Sequence, residues 1–294
     1  MAKNAAHKLA IIAGGGVLPG RVAAAARAQG RDIFIIGLEG FADPAVIAPY
    51  PHKMVRLGAL GQFLDTLKHE NCHEVVMIGA VTRPDLKSLR PDFLGMRLLP
   101  RIAKLMGQGD DALLTGIVRW LENEHGIKVI APDAVAPDLV STEGTLTKAA
   151  PSVADEADIR LAAGAAEEIG RADKGQGAIA VAGHVVAREE ADGTNAMLER
   201  VALDRKGVSQ GGVLVKLSKP AQETRVDLPT IGPETVARAA AAGLAGIAVE
   251  AGGTLIAERD NTVAAADAAG LFVVVRSRQA LLGAGTATTD LDGS

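Results

Sequence analysis

The chain has 294 residues, a formal net charge of -4, 48% hydrophobic residues and only 2% aromatic ones. That length suits one large domain or two modest ones, and the acidic balance argues against a nucleic-acid protein, whose surface needs a basic excess. A core poor in aromatics must be built from Ala, Val, Ile and Leu, which suits helices packed closely on sheets.

The start, MAKNAAHKLAII, is polar before it enters a strand and has no secretory pattern, so a soluble, cytoplasmic protein is expected. Leu9–Ala13 reads as a buried strand, followed by Gly14-Gly15-Gly16 and a helix from Leu18 to Gln29 that Gly30 ends. Ile33–Gly37 is a second strand, Met54–Leu57 a third, Gly61–Glu70 a helix, and Val75–Gly79 a strand ending at Thr82-Arg83-Pro84. Two helices follow, Leu94–Leu105 and Ala112–Glu124, the second capped by Asp110 or Asp111, and Lys128–Ala131 closes the set. Strands separated by helices imply a parallel sheet covered on both faces, a doubly wound, Rossmann-like domain over residues 1–132. Cys72 is the sole cysteine, which rules out an intramolecular disulfide and, with only His69 and His73 nearby, reads as structural.

Residues 133–151, rich in proline and small polar residues, read as a linker. A second, mixed α/β domain over 152–282 opens with an amphipathic helix, Asp155–Ile169. Then come a hairpin (Ala178–Val181, a turn at Gly183, Val185–Arg188), a helix Thr194–Leu203 and a strand Val213–Val215. A helix Glu234–Ala242, a strand Ile247–Glu250, a helix Thr262–Ala269 and a strand Leu271–Val275 complete it, and 283–294 reads as a flexible tail. The most apolar tract, Ala239 to Ile256, is interrupted by four glycines and Glu250, too often for a membrane span of about 20 apolar residues.

LAIIAGGGVLPG resembles a nucleotide-binding turn, in which glycine amides and a helix N-terminus meet a phosphate. Glu39 follows the second strand, where a ribose-binding acid sits in dinucleotide folds. Pro19, however, takes the place of the third glycine of G-x-G-x-x-G and suits the first turn of a helix instead. Three readings stay open: a nicotinamide or flavin site, a phosphate contact of another kind through Gly14, Gly15 and Gly16, and a structural turn. Arg83, after a strand, is either a ligand contact at the carboxyl edge of the sheet or a surface ion pair.

The most informative stretch is GVLVKLSKPAQETRVDLPTIG, Gly212 to Gly232. The strand delivers Lys216 and Lys219 to its end, and Pro220 stops it. Beyond it Thr224, Val226 and Leu228 alternate with Glu223, Arg225 and Asp227, which reads as resumed extended chain. A solvated edge strand carries such charge alternation too. The proline-stiffened concentration of cations and carboxylates favours a phosphate held together with a hydrated metal: Lys216, Lys219 and Arg225 for phosphate oxygens, Asp227 and Glu223 for the cation. Asp173 and Gln176 precede the hairpin and are either part of the same site or a helix-ending polar turn, and Asp192 is a helix cap or a ligand.

Several motifs now stand in order: Gly14-Gly15-Gly16 with Leu18-Pro19, Gly79 through Thr82-Arg83-Pro84, Gly109-Asp110-Asp111, Gly175-Gln176, Gly193-Thr194 with Met197-Leu198, and K-P-x-Q-x-x-R-x-D-x-P-T-I-G at Lys219–Gly232. From about Lys8 to Leu281 the chain resembles the UDP-2,3-diacylglucosamine pyrophosphatase family of lipid A biosynthesis, the LpxI type. The resemblance implies a two-domain cytoplasmic enzyme that hydrolyses UDP-2,3-diacylglucosamine to UMP and 2,3-diacylglucosamine 1-phosphate (lipid X), with attack at the phosphorus nearer the sugar. It implies a divalent cation, Mg2+ or Mn2+, as cofactor and Asp227 as the essential acid; the candidate substrate contacts are Gly14, Gly15, Gly16, Arg83, Gln176, Thr194 and Gln222. It also suggests a homodimer, and a lipid substrate implies transient contact with a membrane surface. Asn195 departs from the family pattern, which has an acid there. Acyl chains need apolar room, which the small residues of Val236–Leu244 would leave unless they serve tight packing. Two other classes compete: a nicotinamide-dependent oxidoreductase using the glycine loop, and a non-catalytic lipid or nucleotide carrier.

Overall fold

The structure, a computed structural model, describes residues 8–82, 89–207, 209–220 and 222–283. Arg83 and the expected tail lie outside the described residues. The described chain divides into two units, one within residues 8–139 with 222–228, the other within 140–220 with 229–283.

In the first unit, apolar runs become buried parallel strands: β1 (Lys8–Ala13), β2 (Ile33–Leu38), β3 (His52–Val55), β4 (Cys72–Ile78) and β5 (Lys128–Val129). They order as β3-β2-β1-β4-β5, every pairing parallel. β3 lies two residues earlier than the sequence suggests, because pairing starts where Ile35 N–H meets Pro51 O (2.9 Å) and ends where Glu39 N–H meets Val55 O (3.0 Å). The helices are α1 (Leu18–Ala28), α2 (Pro44–Ile47), α3 (Leu60–His69), α4 (Phe93–Met106), α5 (Asp110–Arg119, continued through Trp120–Glu124) and α6 (Pro132–Val135). α5 begins at Asp110, so Asp110 and Asp111 are its first two residues rather than its N-cap. Gly109, at φ 122°, is its N-cap, a conformation that only glycine adopts freely. Asp92 caps α4 by accepting from Gly95 N–H (2.8 Å) and also accepts from Gln62 N–H in α3 (3.0 Å). Burial opposes ionisation of Asp92, but these backbone donors outweigh it and hold its carboxyl below the usual range. Cys72 opens β4 and is buried, and burial pushes its thiol up to about 11, so it is neither a thiolate nucleophile nor a ready metal ligand.

The second unit is built on a mixed sheet in the order β6-β13-β11-β9-β7-β8. Its strands are β6 (Gly144–Thr145), β7 (Gly177–Val181), β8 (His184–Arg188), β9 (Val213–Lys216), β11 (Gly246–Glu250) and β13 (Phe272–Arg276), with a separate parallel pair β10 (Thr230–Ile231) and β12 (Leu255–Ile256). β9, β11 and β13 are parallel, and β6, β7 and β8 join antiparallel. α7 (Val153–Arg171) starts in a capping box between Ser152 and Asp155 and covers one face through Ile159, Ala162 and Ala166. α8 (Gly193–Asp204), α9 (Pro233–Ala241) and α10 (Arg259–Ala269) cover the other, and α11 (Arg278–Leu282) follows β13. Alanines at the helix–sheet contacts allow the close approach expected from the composition. Val236, Ala239, Ala242 and Leu244 are fully buried in this core, so the small residues there serve packing rather than an acyl channel. The β7–β8 turn is held by buried Asp158, which accepts from Ala182 N–H (3.0 Å) and Gly183 N–H (2.8 Å).

The sequence reading keeps 152–282 together, whereas the structure gives 222–228 to the first unit. The physical reason is local. Val226 packs against the first unit's core, beside residues such as Trp120 and Val129, and Arg225 pairs with Glu122 (2.6 Å).

Candidate functional site

Residues 222–228 form a bend, not the extended strand that their alternation suggests. No ladder partner is present among the described residues, and Val226 and Asp227 N–H both fold back onto Glu223 O (3.0 and 3.1 Å). The bend points its charges inward. Arg225 Nε donates to Glu223 Oε1 and its NH2 to Glu223 Oε2, each at 2.8 Å, while NH1 reaches Glu122 Oε1 (2.6 Å) and Val129 O (3.2 Å). The hydrogen-bonded guanidinium holds the Glu223 carboxyl below its usual range, and the two acids make Arg225 harder still to deprotonate. Beside them, Gln222 Nε2 donates to Asp227 Oδ2 at 2.5 Å. Asp227 Oδ1 carries no hydrogen bond among the described residues, and the side chain is half-buried.

Two expected roles meet this geometry. Both carboxylate oxygens of Glu223 accept from Arg225, so Glu223 would have to share or give up these bonds to hold a metal ion. Arg225, expected on phosphate oxygens, spans the carboxylates of Glu223 and Glu122. A pH dependence follows. A carboxyl depressed in the fold contributes stability that is present above the unfolded carboxylate range and lost as pH falls through the depressed value. Thermal midpoints of the wild type should therefore fall more steeply with acid below about pH 5 than those of Glu223→Gln. Equal slopes would mean that the pair contributes nothing.

The second unit carries the other cations. Lys216 ends β9, is 4% exposed, and its Nζ donates to Thr230 O (3.3 Å). Lys219 pairs with Asp173 (2.7 Å), which follows α7 in a left-handed conformation at φ 52°. Gln176 O accepts from Leu217 N–H (2.9 Å), while its buried Oε1 has no hydrogen-bond partner among the described residues. Thr194 Oγ1 donates to Glu189 Oε2 (3.1 Å), a buried acid that sequence reasoning missed. Asn195 bonds exposed Glu234 (3.2 Å), and Asp192 ion-pairs with Arg200 rather than capping α8 through its side chain. A further network joins strand ends: Ser218 N–H and Oγ donate to Glu250 Oε2 (2.9 and 2.7 Å), and Arg278 bridges Glu250, Glu167 and Ser218 O. The structure thus groups Asp227, Glu223, Arg225 and Gln222 in one unit. It groups Lys216, Lys219, Gln176 and Thr194 in the other.

At the glycine loop, Gly14 N–H donates to Ile78 O (2.9 Å) and Gly15 N–H to Ala80 O (2.8 Å), with Ala80 N–H returning to Gly15 O (3.0 Å). A Cβ on Gly14 would stand 2.6 Å from Gly79 O. Gly14 is required by the close approach of the β1 and β4 ends, and the amides of both Gly14 and Gly15 are already used. Of the expected glycine contacts, the amide of Gly16, at φ 84°, has no such bond to the β4 end. Pro19 in the first turn of α1 removes another donor from the helix end. Among the described residues no group of three or more His, Cys, Asp or Glu is placed to hold a metal ion.

A doubly wound parallel unit, a mixed α/β unit and these acid- and lysine-bearing bends define a two-unit α/β protein whose charged groups gather at strand ends and turns. The chain belongs to the LpxI family: the family's N-terminal domain matches residues 8–139 and its C-terminal domain residues 142–274. A relative from Caulobacter vibrioides, named UDP-2,3-diacylglucosamine pyrophosphatase LpxI, is 43% identical over 273 residues, 91% of this chain and 97% of that protein. Among solved structures, the Thermus thermophilus UDP-glucose 4-epimerase complex with NAD matches at 13% identity over 92% of this chain and 85% of that chain. Its TM-score of 0.31 is too low to carry an argument.

Proposed function

We propose that this chain hydrolyses the diphosphate of UDP-2,3-diacylglucosamine, giving UMP and 2,3-diacylglucosamine 1-phosphate, in lipid A synthesis. The observation that carries the reading is 43% identity across 97% of a relative that bears that activity in its name. The reaction adds water across one P–O bond of the bridging oxygen. The nucleophile's oxygen joins phosphorus, the bridging oxygen leaves with the other phosphate, and a carboxylate takes the proton.

Asp227 is the proposed acid–base group. Gln222 fixes its Oδ2, which leaves Oδ1 for water or a cation. Arg225 and Glu122 hold the bend that carries it. Lys216 and Lys219 are proposed for phosphate oxygens. Lys219 must then exchange Asp173 for the ligand, a swap between two charge-assisted partners. Magnesium, or manganese, fits as cofactor in its sparse mode, which takes one or two carboxylates, substrate oxygens and retained waters. Asp227 through Oδ1 would hold it, and the ion supplies neutralisation of diphosphate charge when bound. The nicotinamide alternative loses its main support, since the amides of Gly14 and Gly15 are bonded to the β4 end. No helix among the described residues is long and apolar enough to cross a membrane, so transient surface contact would give access to the lipid without a spanning anchor.

The test is UMP release from UDP-2,3-diacylglucosamine by purified protein, with and without a chelator. The expected result is turnover that the chelator abolishes and added Mg2+ or Mn2+ restores. Turnover unaffected by the chelator would remove the metal from the proposal, and no turnover under any metal would remove the activity.

A further inference from the structure

Glu189 stands just after β8 and is 8% exposed. Its N–H donates to Gly177 O (2.8 Å), and its Oε2 accepts from Thr194 Oγ1 (3.1 Å) near the start of α8. Gly177 in turn pairs with Lys216 of β9, which pairs with Val249 of β11. Strand alternation assigns the face. Ile179, Ala187, Leu214 and Val249 belong to the core under α8, α9 and α10, and a step of two residues along each strand puts Gly177, Glu189 and Lys216 on that same face. The result is a row of Glu189, Gly177, Lys216 and Val249 across four strands.

Glu189 and Lys216 are two strand spacings apart at the backbone, about 10 Å, and the row position between them is a glycine, over which Met197 Cε also stands. A Cβ built on Gly177 would stand 2.6 Å from Glu189 Oε2, so the carboxylate already occupies the space over the glycine that separates it from Lys216 in the row. A buried carboxylate and a buried ammonium are each costly alone and far less so facing one another. We infer that Glu189 is a positioning residue: it sets the orientation of the Lys216 ammonium and the Thr194 hydroxyl so that both meet an anionic, phosphate-bearing ligand. This deepens the proposed function and rests on reading Lys216 as a ligand-binding cation. It also gives a reason for glycine at 177, since any larger residue would push the carboxylate away from the lysine.

Two kinds of variant test it. Gly177→Ala should fold, because the atom it displaces is the far end of a flexible side chain, yet it should move the carboxylate. Glu189→Gln removes the charge and keeps the shape. The first arm needs no substrate: in protein labelled at lysine Nζ with nitrogen-15, the Lys216 resonance, assigned by its loss in Lys216→Met, should shift in both variants. In the second arm both should lose about tenfold or more in kcat/KM for UDP-2,3-diacylglucosamine at nearly unchanged thermal midpoint for Gly177→Ala, with Glu189→Asp recovering part of the loss. An unmoved Lys216 resonance would overturn the inference whatever the reaction proves to be. Turnover within about twofold of wild type in Gly177→Ala would overturn it for the reaction even if Glu189→Gln failed to fold. A wild-type protein that releases no UMP, with the resonance shift intact, would instead sink the proposed function and leave the pairing standing.

Discussion

Asp227→Ala should lower kcat for UMP release by about 100-fold or more, a loss of about 3 kcal/mol of transition-state stabilisation, while KM changes little. The argument is geometric. Gln222 fixes one oxygen of Asp227 at 2.5 Å, and the other carries no hydrogen bond among the described residues, so the side chain is oriented without being consumed. Asp227→Asn sharpens the experiment. It keeps an oxygen for Gln222 and the volume of the side chain but loses the negative charge and the ability to take a proton. Both variants should be comparably slow and should still bind the substrate by calorimetry. A carrier would handle ligand equally well in all three forms. Normal turnover in Asp227→Ala would show that the carboxylate has been misassigned.

The second large effect is expected from Arg225→Met. The Arg225 guanidinium makes four hydrogen bonds: two to Glu223 close the bend on itself, and one to Glu122 and one to Val129 O fasten it to the rest of the first unit. Its loss strands two half-buried acids beside each other. The expected cost is about 1 to 2 kcal/mol of stability after allowance for solvent screening. Turnover should fall by at least about tenfold, because Asp227 loses its seat. Arg225→Lys should rescue little, since an ammonium is a point charge and cannot grip both oxygens of Glu223 while reaching Glu122. A double-mutant cycle with Glu122→Gln, read by chemical denaturation, should give a coupling that neither single variant explains. Full activity in Arg225→Met would mean that the bend holds its shape by other means.

Much of the fold can be read from residue order. LAIIA, IFIIG and EVVMI are runs apolar on both faces, which only strands sandwiched between helices can bury, and they form β1, β2 and β4. The hairpin of β7 and β8 was legible from its alternation and Gly183. The two-residue strands β5, β6, β10 and β12 are shorter than any period can reveal. Residues 222–228 misled for a different reason: their period-two pattern is that of a strand, but the groups that satisfy them, Glu122 and the core around Trp120, lie about a hundred positions earlier in the chain. The same holds for the site. Asp227, Lys216 and Thr194 were visible as motif residues, whereas the roles of Glu223 and Arg225 as mutual partners needed their contacts. Glu189 was hidden in REEAD, which reads as a solvated turn. The one local signal is the following Gly193-Thr194, which brings a hydroxyl back over the acid.

The most direct measurement is hydrolysis of UDP-2,3-diacylglucosamine by the wild-type chain in oxygen-18 water, with both products weighed by mass spectrometry. The account predicts UMP and 2,3-diacylglucosamine 1-phosphate in equal amounts, with a single oxygen-18 atom in one of the two product phosphates. Absence of UMP, or products without the heavy oxygen, would contradict it.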